Sequence, residues 1–233
     1  PGGFSKPLQA AERDQLRTMA DETLELAKFT IAFAKENVFP KYLDVVKSLG
    51  VIQTGFLGTV SDSGALDLYD GKLRLMAPDG SFEDFPYERY TEFIAEHIES
   101  WSYLKFPYAK NWGAFSMDVD KPKGIYRANT LARINVCDSI DTPLAQAEFA
   151  EFRQAFGRPA QLTLLYHWAR LIELLYNAEN AIRLLDDPTI LSPETRVKVT
   201  PRAARGVGCV EAPRGTLIHD YTTDADGILT NVN

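Results

Sequence analysis

"GVGCVEAPRGTLIHDYTTDADG", Gly206 to Gly227, is the stretch on which the reading of this chain turns. Val207 to Ala212 is an apolar run of β character. Pro213 cannot donate to a sheet ladder and fixes its own φ, and Gly215 permits dihedrals that other residues resist. The backbone therefore leaves the sheet at Arg214 and returns through "TLIHDYTT", after which Asp224-Ala225-Asp226-Gly227 reads as a hairpin turn. An arginine held between proline and glycine is a stiffly mounted, permanently charged fork of donors, suited to an anion or an electron-rich ligand. The plainer alternative is a common Pro/Gly turn whose arginine pairs with Glu211 or Asp220, and local chemistry by itself favours it.

Outward from this hairpin, the pattern is mixed. Leu16, Met19, Ala20, Leu24, Ala27, Ile31 and Ala34 recur at helical spacing, predicting a helix over about 8–39 closed by Pro40. "VIQTGFLGTV", "ALDLYDG" and "KLRLMAPDGSFEDF" are short β-rich runs parted by turn residues, an antiparallel meander over about 51–86. Residues 87–185 read as a helical core. It opens with "YERYTEFIAEHIESW", includes a helix from about Pro143 to Phe156, and ends with the longest helix, about Ala160 to Leu185. "GIYRANTLARINVCD" within it resists assignment. The last part, 196–233, is β again, from "RVKVT" onward. The fold class is α+β: long packed helices with small antiparallel β-sheets. No repeat, low-complexity tract or linker divides the chain.

The chain has 233 residues, 45% of them hydrophobic, enough for a substantial core. With 32 acidic against 25 basic residues and no Lys/Arg run, it has no electrostatic footprint for nucleic acid or an anionic membrane. Its apolar helical stretches are interrupted by Lys28, Lys35, Arg170 and Glu173, short of the ~18 to 20 apolar residues of a membrane span. Neither nucleic acid nor membrane is an expected partner. Cys137 and Cys209 are too few for a disulfide scaffold and form no Cys-x-x-Cys pair, so a reducing, cytoplasmic setting is expected, each cysteine serving as a small buried hydrophobe. The start at Pro1-Gly2-Gly3, without Met, and the stop on "GILTNVN" suggest a piece of something longer.

Catalytic motifs are sparse. His97 has Ile94 three residues before it, so the Glu-x-x-His pattern fails and a solvated or capping role is expected. His167 has neither histidine nor carboxylate one turn away, and core packing is expected. Gly-x-Gly-x-x-Gly, a P-loop and Gly-x-Ser-x-Gly are absent.

At this point the opening stretch resembles the Glu-Ala-Pro-Arg-Gly-x-Leu-x-His segment of the nickel-iron hydrogenase large subunit, in the form found in soluble NAD-, viologen- or deazaflavin-linked enzymes. "GIYRANTLARINVCD" is similar to the family's Tyr-Arg-Val-Gly-Pro-Leu-Ala-Arg-Leu-Asn run, with Ala128-Asn129-Thr130 in place of Val-Gly-Pro, and "SYLKFPY" and "PGGF" also match. The resemblance covers the whole chain in order. It implies a large-subunit-like fold, in part, and a parent that oxidises or produces hydrogen at a nickel-iron centre with CO and cyanide ligands. The parent would pass electrons through an iron-sulfur small subunit to diaphorase-type or other electron-transfer subunits. The family holds its metals with two Cys-x-x-Cys pairs, which are absent here. The resemblance therefore implies a central fragment, inactive alone, with no metal ligand and no bound cofactor of its own.

The resemblance assigns Arg214 to the metal pocket, donating to an iron-bound cyanide, with Pro213 and Gly215 shaping the wall. His219 would hold that wall by hydrogen bonds, and Glu211 would partner Arg214. Two alternatives stand beside this. One is the related quinone-module subunit of respiratory complex I, whose matching turn reads Pro-Lys-Gly-Glu where this chain has Arg214 and Thr216. The other is a metal-less structural or assembly paralogue.

Overall fold

The computed structural model describes residues 3–118 and 120–233. Pro1 and Gly2 of the "PGGF" match lie outside the described residues. Phe4 N–H donates to Thr195 O at 2.8 Å.

The first helix, α1 (Ala10–Phe33), buries Ala20, Ala27 and Ile31, part of the expected stripe. It does not end at Pro40. Residues Ala34–Val38 widen into a π turn, and α2 (Phe39–Ser48) follows with Pro40 in its first turn. Proline has no N–H for the carbonyl four residues back and its ring crowds that carbonyl. The helix relieves this with a wider turn, Phe39 N–H donating to Ala34 O, and runs on.

The expected meander consists of β1 (Gly55–Val60), β2 (Lys72–Met76) and β3 (Phe82–Phe85), antiparallel in sequence. "ALDLYDG" connects β1 to β2 without forming a strand of its own. The helix expected over 87–101 is only the short α3 (Tyr90–Phe93) after a 3-10 turn. From there the chain extends as β4 (Ile94–Ile98), which pairs antiparallel with β5 (Lys105–Ala109). Opposite each other in register, Ile94 and Ala109 are both buried in one apolar cluster, and this pairing outweighs the local helical pattern.

The segment that resisted assignment splits in two. β6 (Tyr126–Arg127) pairs parallel to β1, completing the order β3-β2-β1-β6. α4 (Thr130–Val136) follows, with all seven residues buried. It lies directly on β1: a Cβ on Gly58 would stand 2.9 Å from Val136 Cγ2 and 3.4 Å from the Cα of Arg133. α5 (Pro143–Phe156) has the expected bounds. α6 (Tyr166–Asp186), preceded by a 3-10 turn, has 21 residues against 24 in α1, so it is not the longest helix. "RVKVT" makes no strand, and Val197 and Val199 lie exposed. The last sheet is β7 (Ala204–Ala212), β8 (Gly215–Thr223) and β9 (Leu229–Val232), antiparallel throughout.

Alternation along β1 joins these parts. Phe56 and Val60 enter the helical core with Ile31, Leu131, Phe152 and Ile172. Leu57 points the other way, into a second core with Leu73, Leu75 and Phe85, on which Val207, Cys209 and Ile218 of the last sheet pack. The first sheet thus has the helical core on one face and the last sheet on the other, with the Pro-Arg-Gly end of the hairpin reaching past it to α4. The class is α+β, as the sequence indicates, with the helical core confined to α1, α2 and α4 to α6.

Candidate functional site

Pro213 and Arg214 are the two central residues of a tight hairpin turn, since Ala212 pairs with Gly215 and Glu211 with Thr216. Gly215 is buried and has φ 134°, a value that β-carbon-bearing residues avoid. A Cβ there would stand 2.6 Å from Ala128 Cβ and 3.1 Å from Asn129 N, so the turn is seated directly against the approach to α4. Asn129 itself has φ 78° and ψ −169°, backbone territory of glycine, and its Oδ1 accepts the Thr130 N–H at 2.5 Å. The Ala-Asn-Thr departure from Val-Gly-Pro therefore puts asparagine on a glycine-type backbone.

Glu211 is not the partner of Arg214. Its side chain is fully enclosed, with Oε2 accepting from Arg133 Nη1 at 2.8 Å and Oε1 accepting from Thr59 N–H at 3.0 Å and the Thr216 hydroxyl at 2.8 Å. Strand alternation explains this: Glu211 points inward to β1 and α4 while the tip of the turn faces out. Asp220, the other candidate, is occupied by Arg205, at 2.8 and 2.7 Å, and by the Tyr90 hydroxyl at 3.1 Å. Arg214 is exposed, and among the described residues it has no salt bridge.

Beneath the turn lies a buried charge network. Arg133 of α4 donates from Nε and Nη2 to the two carboxylate oxygens of Glu173 on α6, at 2.6 and 2.8 Å. Its Nη1 reaches Glu211 and also Ala212 O, at 3.1 Å. Burial by itself would lower the Arg133 guanidinium, but the hydrogen bonds and charges of Glu173 and Glu211 hold it above the ordinary arginine value. Burial pushes Glu173 up, against the downward pull of Arg133. An open cleft of about 540 Å³ leads from the surface to this network, lined among others by Pro213, Glu211, Arg133, Glu173 and Arg170.

Sequence reading missed Arg133 and Glu173. A signal for Glu173 existed: Ala169, Ile172, Glu173 and Tyr176 share the buried face of α6, and a charge on such a stripe requires a partner. Arg133 lies inside the quoted "ANTLARIN" run, yet nothing local marks its partners.

His219 is exposed on β8 and its Nδ1 bonds the Tyr221 hydroxyl. Four residues beyond Gly215, it stands roughly 13 Å along the strand from the turn, so it steadies the strand rather than the turn itself. His97 stacks on Phe115 at 4.4 Å and bonds Glu99 at 2.9 Å. His167 is exposed rather than packed in the core, because it faces away from the buried stripe of α6.

No group of three or more metal-capable side chains occurs among the described residues. Burial pushes the thiols of Cys137 and Cys209 up to about 12, so without a bound metal both are protonated at neutral pH. No helix among the described residues is long and apolar enough to cross a membrane.

No family model matches the chain. It is 44% identical to a component of the F420-non-reducing hydrogenase vhu of Methanococcus voltae, over all of this chain and 54% of that protein. To NAD-reducing hydrogenase HoxS subunit beta of Cupriavidus necator it is 35% identical, over all of this chain and 48% of that one. The crystal structure of an NAD+-reducing [NiFe]-hydrogenase in the H2-reduced state superposes with a TM-score of 0.88 at 36% identity, covering all of this chain and 50% of that chain. A [NiFeSe]-hydrogenase of Dm. baculatum shares the fold at a TM-score of 0.69 and 21% identity. The chain thus spans about half the length of the curated relatives it matches.

Proposed function

We propose, for a chain homologous throughout its length to the large subunit of nickel-iron hydrogenases, that its Pro213-Arg214-Gly215 turn forms one wall of the metal pocket of an enzyme that reversibly oxidises hydrogen. One observation carries this reading: an exposed arginine without a carboxylate partner stands at the tip of a turn whose base is pinned by buried charges.

The residues present suit the outer wall of such a centre rather than its ligand set. Among the described residues no three metal-capable side chains come together, while Arg214 would offer a planar fork of donors to the nitrogen end of a cyanide. When bound, the nickel-iron centre supplies the chemistry of hydrogen cleavage and electron uptake. Arg214 would hold a fixed positive charge at its edge and donate hydrogen bonds to it. A guanidinium keeps its protons too firmly to serve as an easy base, so its contribution is electrostatic. Pro213 and Gly215 restrict the path of the turn, Glu211 holds its base, and His219 supports the same strand through Tyr221.

The working protein includes a small iron-sulfur subunit together with a diaphorase-type or other electron-transfer subunit whose acceptor is NAD or another soluble carrier. The setting is cytoplasmic. Relatives that include an NAD-reducing hydrogenase, and two free cysteines, support these assignments. Arg214→Lys in the full-length protein keeps the charge and loses the fork. Hydrogen turnover is expected to fall on the order of 10²-fold while nickel content stays near wild type. Unchanged hydrogen uptake would remove Arg214 from the site.

A further inference from the structure

We propose that Arg133 and Glu211 are positioning residues for hydrogen conversion: the buried chain Glu173, Arg133, Glu211 fixes where Arg214 stands. The inference rests on the reading of Arg214 given above. Arg133 divides its fork in two. One edge, Nε and Nη2, is locked onto Glu173, which ties the guanidinium to α6. The remaining nitrogen, Nη1, holds both Glu211 Oε2 and Ala212 O, the last two residues before Pro213.

Glu211 then fastens the other strand, because its Oε1 accepts the hydroxyl of Thr216, its cross-strand partner. The same oxygen accepts Thr59 N–H, tying the hairpin to β1. Pro213 has a fixed φ and Gly215 is pressed onto Ala128 and Asn129, so the turn has little freedom between its two fastened strands. Beyond this frame stands only the two-residue tip, Pro213 with its fixed φ and Arg214, which carries the exposed cation.

Stability gives little reason for such a device. A buried ion network is commonly no more stable than apolar residues of the same volume. A fixed geometry does have a catalytic reason, because a misplacement of about 1 Å at a reacting site can cost about 10²-fold in rate. Three charges enclosed directly beneath an arginine that itself reaches solvent are therefore read as an aiming device.

The test uses the full-length, metal-loaded enzyme. Glu211→Gln keeps the size and the acceptor for Thr59 and Thr216 but removes the charge facing Arg133. Thr216→Val is a second, milder release of the same turn. The readouts are nickel content, the infrared stretching bands of the cyanide ligands, and kcat separately from KM for hydrogen. Displaced or broadened cyanide bands are expected with nickel content unchanged, together with a fall in kcat of about 10-fold or more. In an Arg214→Ala background, Glu211→Gln should add little further loss, because both act through one side chain. Wild-type bands and kcat in Glu211→Gln would overturn the proposal, and so would a full additional loss in the Arg214→Ala background. Loss of nickel in Glu211→Gln would overturn it too, by making the network an assembly element. If Arg214→Ala itself leaves bands and turnover unchanged, the Arg214 reading fails, and that outcome is distinct from the others.

Discussion

Two glycine-to-alanine substitutions in the same hairpin are expected to move stability in opposite directions. At Gly215 the new Cβ would meet Ala128 Cβ at 2.6 Å and Asn129 N at 3.1 Å, with φ at 134°. Carbon atoms pack at about 3.5 to 4.0 Å, so the turn must retreat by about an ångström from the approach to α4. Overpacking of this kind costs about 1 to 3 kcal/mol. The backbone conformation adds about 1 to 3 kcal/mol for a residue with a β-carbon. Together they amount to about 2 to 6 kcal/mol, against a total stability of roughly 5 to 15 kcal/mol for a domain.

Gly208, one strand away on β7, has open space around its would-be Cβ. Alanine there should stabilise by about 0.4 to 1 kcal/mol, by restricting the unfolded chain. Urea unfolding of the chain followed by circular dichroism measures both. Adding Ala128→Gly to Gly215→Ala removes the 2.6 Å contact but not the backbone cost, so it should recover about 1 to 3 kcal/mol after correction for Ala128→Gly alone. A midpoint for Gly215→Ala at or above wild type would refute the close seating of the turn on Ala128 and Asn129.

Acid should weaken the fold partly through Arg74, which bonds Asp84 through Nε and Nη2 and Asp138 through Nη1. Burial raises both carboxyls, yet the hydrogen bonds of Arg74, joined by Lys72 at Asp84 and Arg158 at Asp138, hold them below the usual carboxylate range. Their contribution is complete above the unfolded carboxylate value, about 4, and is lost as pH falls through the depressed folded values. Thermal melts of Arg74→Met between pH 7 and pH 2.5 should show a flatter acid limb than wild type, and an identical limb would count against the assignment. Asn129→Gly should leave stability unchanged or raise it by up to about 1 kcal/mol, relief of the glycine-type backbone being offset by lost chain restriction and a lost side-chain hydrogen bond; a large loss in urea unfolding would contradict this. At pH 7.5 neither Cys137 nor Cys209 should react readily with iodoacetamide in the native chain, while both should react in urea; fast native labelling of Cys137 would contradict its burial.

What could be read directly was whatever local chemistry enforces. Pro143 and Gly157 bound α5 at the expected residues, and Pro213 with Gly215 forced the two-residue turn. Misreadings arose where local preference met a distant partner. Pro40 fits within a continuing helix once a π turn absorbs it, and Ile94 to Ile98 become a strand because Lys105 to Ala109 lie opposite. "RVKVT" has strand-forming residues but does not form a strand.

The site divides in the same way. The sequence alone determined that Arg214 is a charged fork on a stiff turn, because proline and glycine act on their own backbone bonds. Its salt-bridge partners could not be decided there, since Glu211 and Asp220 were both near along the chain. Only the tertiary structure settled that choice. Strand alternation turned Glu211 inward, toward an arginine 78 residues earlier in the chain, and Arg205 claimed Asp220, so Arg214 was left facing out. A buried charge takes whichever opposite charge the packing of α4, α6 and β1 brings within reach, and that choice is made by the fold rather than by any residue's neighbours.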